Sequence, residues 1–410
     1  MRAVLLSTYE LGHQPQALAT PAALLAARGW HVRCFDLSRE DPDFEALREA
    51  DLAAFSLPMH TATRLAVPWI RGVRRINPRA RLAAYGLYAQ LNAEYLRSLG
   101  VHWIGRVPLG RTGYVVPLRD GLPPLEKYAP LRTIDGPKLV AAVEASHGCK
   151  HRCRHCPIVP VYDGQFRITS VEIVMADVRQ QVAAGAQHVT FTDPDFFNGP
   201  THARRVAEAL HREFPLVTYD ATIKVEHLLK HRDLLPMLRD TGCLFVTSAV
   251  ESLDDAILER LDKGHTRSDF FECVDLMRAH GLTLAPTFLA FTPWTTRAGY
   301  EDLLRSLRSL DLIENVAPVQ LALRLLVTAH SRLLELPDLR VGPLDPESLL
   351  HPWTHDDPEM DALAARLLKL VAKPGSRSEI FVRVWEEVFR EPLDLMPRAT
   401  VPYLDEPWYC

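Results

Sequence analysis

Short apolar segments alternate with longer stretches of helical periodicity along most of this chain, and this alternation restricts the folds open to it more than any other feature. The first series of apolar segments lies at 3–8, 31–37, 52–57, 81–86 and 101–105. Stretches between them, such as 17–29 and 63–76, carry apolar residues at helical spacing. Alternation of this kind forms a parallel sheet with helices on both faces. We therefore predict an α/β fold that begins with a doubly wound, Rossmann-like sheet at residues 1–106.

Beyond residue 106 the alternation stops once and then resumes. Residues 107–138 contain several prolines and glycines without any period, which is typical of a linker. Six further apolar segments follow at 140–146, 188–193, 217–225, 244–252, 282–291 and 319–326. They predict a partial (βα)6 barrel at residues 139–328, with its chemistry at the carboxyl ends of the strands. For residues 329–410 we predict a helical and irregular region, with helices near 359–372 and 377–390 and a docking tail.

Bulk composition excludes several classes of partner. The chain has 410 residues. A single hydrophobic core stops growing at a chain length of about 250–300 residues, so several domains are expected. Its net charge of −4 includes no basic block, so no nucleic-acid partner is expected. No apolar run approaches the roughly 20 residues of a membrane span, and the opening MRAVLLSTYELGHQ is unlike a signal peptide. We therefore expect a cytoplasmic protein without a membrane partner. The cytoplasm is reducing, so clustered cysteines there bind metals more often than they form disulfides.

Three of the seven cysteines lie together, directly after the first strand of the predicted barrel. Cys149, Cys153 and Cys156 form a C-x3-C-x2-C motif within the segment SHGCKHRCRHC. Three thiolates on a short loop can hold three irons of a cubane cluster. The fourth iron then has no protein ligand and can bind a small molecule.

Zinc and ordinary ferredoxin-type sites are the alternatives for this motif. A structural zinc site needs four ligands, and His147, His151 and His155 interleave with the cysteines, so a mixed Cys/His site is conceivable. A ferredoxin-type cluster needs a fourth cysteine, for which Cys410 is the unusual candidate. The other three cysteines lie in apolar patterns and are predicted to be core residues.

The C-x3-C-x2-C loop after the first strand of a partial barrel resembles the radical SAM enzymes. The resemblance implies a [4Fe–4S] cluster on the three cysteines and S-adenosylmethionine bound to the open iron, where an electron cleaves its sulfonium. A glycine pair usual in the family is missing, and Asp193 and Asp195 take the place of its acidic end. The residues that the resemblance implies for binding S-adenosylmethionine are His155 against the adenine, Asp193 and Asp195 at the amino group, Lys224 on the third strand at the carboxylate, and Ser248 and Glu251 on the fourth strand.

The first α/β domain resembles the cobalamin-binding domain of the B12-dependent branch of that family. His13, Ser56 and Gly86 lie on the loops that would touch the corrin. The D-x-H-x-x-G signature of a cobalt-ligating histidine is absent, because Gln14 and Pro15 follow His13. The resemblance implies methyl transfer to an unactivated centre of a small molecule. A domain that kept the fold and lost cobalamin is the alternative, and hydrogen abstraction or transfer of another fragment of S-adenosylmethionine would then be the reaction.

The carboxyl-terminal segment TVPYLDEPWYC resembles the tail of a radical SAM subgroup that ends in Cys-Cys/Sec-Ala-Glu-Pro. Glu406 and Pro407 keep its last two positions, whereas the thiol or selenol pair is missing. We predict that Tyr409 and Cys410 act as catalytic residues, with a docked tail and an idle thiol as the alternative. The expected partners are a small-molecule substrate and a reductant such as flavodoxin or ferredoxin. From other classes, a non-catalytic iron–sulfur electron carrier or redox sensor and a zinc scaffold remain alternatives.

Overall fold

The structure, a computed structural model of the chain, describes residues 1–105, 115–395 and 401–406. Two parallel five-stranded sheets organise these residues, and helices follow nearly every strand. This arrangement confirms the predicted α/β class, with a Rossmann-like sheet first, a barrel-type sheet second and a largely helical carboxyl-terminal region.

The first sheet has the strand order β2-β1-β3-β4-β5 with all strands parallel. Its strands are β1 (Arg2–Ser7), β2 (His31–Asp36), β3 (Leu52–Ser56), β4 (Arg81–Tyr85) and β5 (Trp103–Gly105). The intervening helices are α1 (Gln16–Ala26), α2 (Phe44–Glu49), α3 (His60–Ile76), α4 (Leu87–Leu91) and α5 (Ala93–Ser98). All five predicted apolar segments therefore form strands.

Both faces of the first sheet are buried. Val4 and Leu6 of β1 pack in one hydrophobic cluster with Ile70 of α3, whereas Leu5 packs in another with Leu18 of α1. Successive residues of a strand point to opposite faces. Burial on both faces is the reason that these strands are apolar throughout rather than alternating.

Two short strands occupy the segment predicted to be a linker. β6 (Leu131–Thr133) and β7 (Gly136–Lys138) pair antiparallel, and β15 (Tyr403–Leu404) from the far end of the chain adds to β6. β7 is an edge strand, which is where a proline such as Pro137 is tolerated. The hairpin of β6 and β7 was not predicted because prolines in this segment indicated a linker. The third strand of the sheet, β15, is too distant in sequence for a local pattern to reveal.

The second sheet begins at β8 and has the order β14-β13-β12-β11-β8, again all parallel. The strands from here on are β8 (Val140–Val143), β9 (Ser146–Gly148), β10 (Phe166–Ile168), β11 (His188–Phe191), β12 (Thr218–Thr222), β13 (Cys243–Glu251) and β14 (Thr283–Phe288), of which β9 and β10 form a separate hairpin. The helices among them are α6 (Val159–Tyr162), α7 (Val171–Ala183), α8 (Pro200–Glu213), α9 (Val225–Lys230), α10 (Leu235–Asp240), α11 (Asp255–Leu261) and α12 (Arg267–Ala279), and α13 (Arg297–Ser309) follows β14.

The predicted sixth strand at 319–326 does not form. A 3₁₀ helix, Pro318–Leu321, occupies its first half, and only a single parallel bridge joins Phe291 to Arg324. An apolar run alone cannot distinguish a strand from another buried segment. The barrel is therefore open between β14 and β8, and other parts of the chain cover the opening.

The carboxyl-terminal region packs on the barrel through two helices close to their predicted positions. These are α14 (Pro358–Val371) and α15 (Arg377–Phe389). Leu363 of α14 and Phe381 of α15 belong to the same hydrophobic core as the second sheet. Among the described residues, no helix has both the length and the apolar character needed to cross a bilayer.

A buried ion pair ties the connecting segment to both sheets. Arg119 makes two hydrogen bonds to the carboxylate of Asp177 in α7, at 2.9 and 2.7 Å, and one to the carbonyl of Ala142 in β8. It also donates to Gln14 in the loop after β1, at 3.3 Å. These contacts hold that loop next to the carboxyl end of β8, where the cysteine motif follows.

Candidate active site at the carboxyl edge of the second sheet

The cysteine loop follows β8 through the short strand β9. Cys149, Cys153 and Cys156 lie between the end of β9 and the start of α6 at Val159. Gly148 sets the entry to the loop, because its φ is +83° and a Cβ there would lie 2.4 Å from the carbonyl oxygen of Gln165. Only glycine adopts this conformation at such a close backbone approach without displacing the loop.

Gly148→Ala is therefore expected to displace the cysteine loop, to destabilise the protein by about 1–3 kcal/mol, and to lower the iron bound per chain after anaerobic reconstitution. Gly72→Ala is the matched control, because a Cβ at Gly72 in α3 meets nothing within 4 Å. That change should keep wild-type iron content and gain up to about 1 kcal/mol of helix stability. Wild-type iron and stability in Gly148→Ala would contradict the inference that this turn directs the loop.

The three thiols share one site. Cys153 is 7% exposed, and the other two are partly buried. Burial raises the pKa of Cys156 to about 12, and the thiols of Cys153 and Cys149 add to the rise because like charges repel. Burial likewise raises the pKa of Cys149. Three thiolates held this close together require compensating positive charge.

Two buried lysines supply positive charge next to the thiols. Lys224 Nζ lies 4.0 Å from Cys153 Sγ. The Lys263 side chain is 3% exposed. Burial by itself would lower the pKa of Lys263, but the charges of Glu251, Cys153 and Cys156 raise it above its ordinary value. Lys263 therefore stays protonated beside the cysteine loop.

Glu251 joins two sides of the site. It ends β13 with φ +71°, an uncommon conformation for a residue other than glycine. Lys263 Nζ donates to its Oε1 at 3.4 Å, and His155 Nε2 lies 3.1 Å from the same oxygen. Burial would raise the pKa of Glu251, but the charges of Lys263 and His155 lower it to about 2. The structure thus brings the predicted residues His155 and Glu251 into direct contact.

A second polar chain crosses the site from Lys224. Lys224 Nζ donates to His151 Nδ1 at 3.1 Å, and His151 Nε2 lies 3.5 Å from Asp195 Oδ2. His227 Nδ1 approaches the same oxygen at 2.7 Å. Burial would raise the pKa of Asp195, but these two histidines lower it overall. Lys224 lies two residues beyond β12 rather than within the third strand as predicted, and it directly precedes α9.

The histidines of the cysteine loop face different partners, which disfavours a mixed Cys/His zinc site. His147 Nδ1 lies 2.6 Å from Glu144, and His155 contacts Glu251. Within the described ranges, His151, Asp195 and His227 form a group whose ligand atoms lie within 4.8 Å of one another. Donation from a lysine to Nδ1 of a neutral histidine leaves its proton on Nε2. His151 Nε2, His227 Nδ1 and Asp195 Oδ2 nevertheless make no hydrogen bond of good geometry among the described residues, so the group is held together by charge at ion-pair distances.

Asp193 lies at the site, whereas Ser248 lies on the other face of the sheet, because its strand neighbours Phe245 and Thr247 face the barrel cavity. Asp193 follows β11 and accepts hydrogen bonds from the amide of Ala145, at 2.9 Å, and from the hydroxyl of Ser146. Burial raises the pKa of Asp193 to about 7. Ser248 in β13 is fully buried, and its Oγ has no partner among the described residues. Asp193 therefore holds the start of the cysteine loop, and the structure does not bring the predicted residue Ser248 to the site.

A cavity of about 210 Å³ separates the first sheet from the cysteine loop, and we call it the interdomain cavity. Ser56 and Gly86 line one side, and His147 and Tyr162 line the other. Gly86 has φ +106°, and a Cβ there would lie 2.8 Å from the carbonyl oxygen of Leu57. Two of the three residues predicted to touch a corrin thus lie together at the carboxyl edge of the first sheet.

Several polar atoms at this cavity are buried without a partner in the described part of the chain. They are Glu10 Oε2, Gln16 Oε1 and Ser56 Oγ. Burial raises the pKa of Glu10 to about 8. Buried polar groups are normally hydrogen-bonded, so these atoms indicate a site for a polar ligand.

A second cavity, of about 300 Å³, lies inside the barrel, and we call it the barrel cavity. Inward-facing residues of four strands line it, among them Thr190, Asp220 and Thr247. His13 lines this cavity and not the interdomain one, and burial lowers the pKa of His13 to about 4. Thr192 lines both cavities, so the two spaces adjoin.

The described part of the tail lines the barrel cavity. Tyr403 and Leu404 of β15 line the barrel cavity together with Glu406. Tyr9 donates to Glu406 at 3.0 Å, and Arg39 lies 3.6 Å from its carboxylate. The residues predicted to be catalytic, Tyr409 and Cys410, lie outside the described residues.

Three residues of these sites were missed in the sequence. Lys263 and His265 flank a glycine directly after α11, and Arg377 begins α15. His265 is 6% exposed, neither ring nitrogen has a partner among the described residues, and burial lowers its pKa to about 4. The Lys-Gly-His triplet was visible in the sequence, but no local pattern places it beside a loop about 110 residues earlier.

Comparison with known families matches residues 143–305 to the radical SAM superfamily. Among curated proteins, the chain is 27% identical over 179 residues to hopanoid C-3 methylase of Methylococcus capsulatus, covering 44% of this chain and 33% of that protein. It is 28% identical over 199 residues to the ribosomal protein uS12 methylthiotransferase RimO of Porphyromonas gingivalis, covering 44% and 43%. The matches therefore span less than half the length of these relatives.

Solved structures resemble a larger part of the chain. The methyltransferase TsrM from Kitasatospora setae, with cobalamin and a [4Fe–4S] cluster bound, matches 76% of this chain and 73% of its own, with a TM-score of 0.60 at 16% identity. The cobalamin-dependent radical enzyme OxsB, with aqua-cobalamin and S-adenosylmethionine bound, matches 89% and 66%, with a TM-score of 0.64 at 12% identity. At these identities the likeness shows a common fold.

Proposed function

Starting from the radical SAM domain that this chain contains at residues 143–305, we propose that the protein is an enzyme that cleaves S-adenosylmethionine reductively with a [4Fe–4S] cluster. Cys149, Cys153 and Cys156 would hold the cluster. The observation that carries this proposal is the convergence of three thiols on one loop beside buried Lys224 and Lys263. When bound, the cluster supplies the electron that breaks a carbon–sulfur bond of S-adenosylmethionine.

The unused polar groups around the loop suit S-adenosylmethionine, which carries a carboxylate, an amine and a sulfonium. Both ring nitrogens of His265 are buried without partners in the described ranges. Glu251, with its pKa lowered to about 2, stays ionised at neutral pH. We assign these residues to holding and orienting the zwitterion.

Cobalamin-dependent methyl transfer to a small molecule is the reaction that we propose. The interdomain cavity supports it, because Glu10, Gln16 and Ser56 present unpartnered polar atoms there and a corrin carries many amide donors. The fold neighbours TsrM and OxsB have cobalamin bound.

The experiment is the visible spectrum of protein purified anaerobically after growth with hydroxocobalamin, followed by product analysis with dithionite and S-adenosylmethionine. We expect corrin bands together with the cluster shoulder, and formation of S-adenosylhomocysteine. A cluster shoulder and 5′-deoxyadenosine without corrin bands would instead support a cobalamin-independent enzyme. A cluster without any cleavage of S-adenosylmethionine would support an electron carrier or redox sensor.

A further inference from the structure

The barrel cavity contains one strongly basic side chain among its described lining residues, Arg377, the first residue of α15. One guanidinium nitrogen donates to the carbonyl of Glu314 at 2.7 Å. The guanidinium carbon lies 4.1 Å from the ring centroid of Tyr403 in the tail. The ring of Tyr403 and the carbonyl of Glu314 thus hold the guanidinium group at the wall of the cavity.

Arg377 makes no close ion pair in the described part of the chain, and the charges of Glu314 and Asp405 act on it only from a distance. No carboxylate lies within 4.0 Å of it there, in contrast to Arg119, which makes a bidentate pair with Asp177. A largely desolvated charge without a partner is unfavourable. The remaining guanidinium N–H groups are arranged as a planar fork, which matches the two oxygens of a carboxylate. A ligand that brings a carboxylate into the cavity would compensate this charge.

The rest of the lining limits the ligand to a single negative charge. Asp193, Asp220 and Glu406 also line the cavity, so a dianionic group such as a phosphate would be repelled. Asp220 Oδ1 accepts hydrogen bonds from Thr190 Oγ1, at 2.6 Å, and lies 2.9 Å from His188 Nε2. No hydrogen bond to Asp220 Oδ2 occurs among the described residues, which leaves this oxygen available to an amine or hydroxyl of the ligand.

We infer that the substrate is a small organic acid with one carboxylate and a hydrogen-bond donor, an amino or hydroxy acid, whose carboxylate binds Arg377. This inference rests on the proposed function, which makes the barrel cavity the substrate site. Thr192, which follows β11, lines both cavities, so the barrel cavity reaches the edge of the sheet that carries the cysteine loop, and a substrate anchored at Arg377 would extend toward it. Tyr403 lies over the anchored end, and β15 encloses it.

Acetate is the probe that tests the site without knowledge of the substrate. The cluster-reconstituted protein is labelled with 3-fluorotyrosine, and the ¹⁹F resonance of Tyr403 is assigned by its loss in Tyr403→Phe. Sodium acetate, added at constant ionic strength against sodium chloride, should shift this resonance saturably. Neutral acetamide should bind at least about ten-fold more weakly than acetate, because it cannot form charge-assisted hydrogen bonds with the guanidinium.

Arg377→Gln should abolish the acetate-dependent shift, and Arg377→Lys should weaken it because a lysine cannot form the two parallel bonds. Arg383→Gln is the matched control, since Arg383 lies on the same helix, is likewise partly buried and does not line the cavity. It should keep the wild-type response. If Arg377→Gln fails to fold, the lysine variant decides the question.

A wild-type resonance without a saturable acetate response would overturn the inference, and so would an unchanged response in both Arg377 variants. Tighter binding of inorganic phosphate than of acetate would overturn the assignment to a monocarboxylate. Cleavage of S-adenosylmethionine is measured on the same samples. Its absence beside an intact acetate response would refute the proposed function while the anion site stands.

Discussion

Replacing Cys153 by alanine is expected to lower cleavage of S-adenosylmethionine by at least about a thousand-fold, because residues that act as one catalytic unit fail together. Cys153 is 7% exposed, and Lys224 Nζ lies 4.0 Å from its Sγ. Without this thiolate two cysteines of the loop remain, and the positive charge beside it loses its counterpart. The measurements are iron and sulfide per chain after anaerobic reconstitution, and the nucleoside products by chromatography.

Cys243→Ala is the matched control for that change. Cys243 is equally buried, at 7% exposure, but it lies at the start of β13 and its thiol donates to the carbonyl of Phe245. Its loss should leave a small cavity and cost roughly 1 kcal/mol of stability with iron content unchanged. If Cys153→Ala kept full iron and full cleavage, the assignment of the cluster to this loop would be wrong.

Lys263→Met is expected to destabilise the apo protein by about 3 kcal/mol, because it leaves the buried carboxylate of Glu251 without its ammonium partner. Lys263 and Glu251 are 3% and 11% exposed in their side chains, and 3.4 Å separates Nζ from Oε1. His155 remains 3.1 Å from the same oxygen, so the loss should lie at the lower end of the range for a broken buried pair. Urea unfolding at neutral pH measures the change.

The pH dependence distinguishes this pair from ordinary packing. The pKa of Glu251 is lowered from 4.5 to about 2 in the folded protein, so its stabilising contribution is present above pH 4.5 and is lost as the pH falls through about 2. Without Lys263 that pKa should rise, and the wild-type advantage should shrink as the pH is lowered from 7 to 4. Adding Glu251→Gln to Lys263→Met should recover part of the stability. An advantage that does not change with pH would contradict the ion-pair explanation.

The elements predicted correctly are those whose signal is local. The five strands of the first sheet and β8, β11, β12, β13 and β14 are apolar runs between amphipathic helices, and burial on both faces makes such runs conspicuous. The segment 319–326 was equally apolar, yet it became a 3₁₀ helix with a single bridge at Arg324. An apolar run indicates that a segment is buried, but it does not show whether the segment pairs with a neighbouring strand. This is why that strand was predicted wrongly.

The candidate site divides in the same way. The motif of Cys149, Cys153 and Cys156 lies within eight residues, so sequence alone predicted its chemistry and pointed to the family that residues 143–305 match. The roles proposed for Lys224 and Glu251 toward S-adenosylmethionine stay predictions.

Sequence by itself determined the order of the sheets and the thiol motif, because strands buried on both faces and closely spaced ligands leave patterns within a few residues. Tertiary structure decided which distant charges surround the motif and which cavity each loop lines. In the folded protein Lys263 contacts Glu251, His13 lines the barrel cavity rather than the interdomain cavity, and Arg377 packs against Tyr403 of the tail. Such contacts join residues far apart in the chain, and their partners are selected by packing and by the cost of burying charge, neither of which a local pattern encodes.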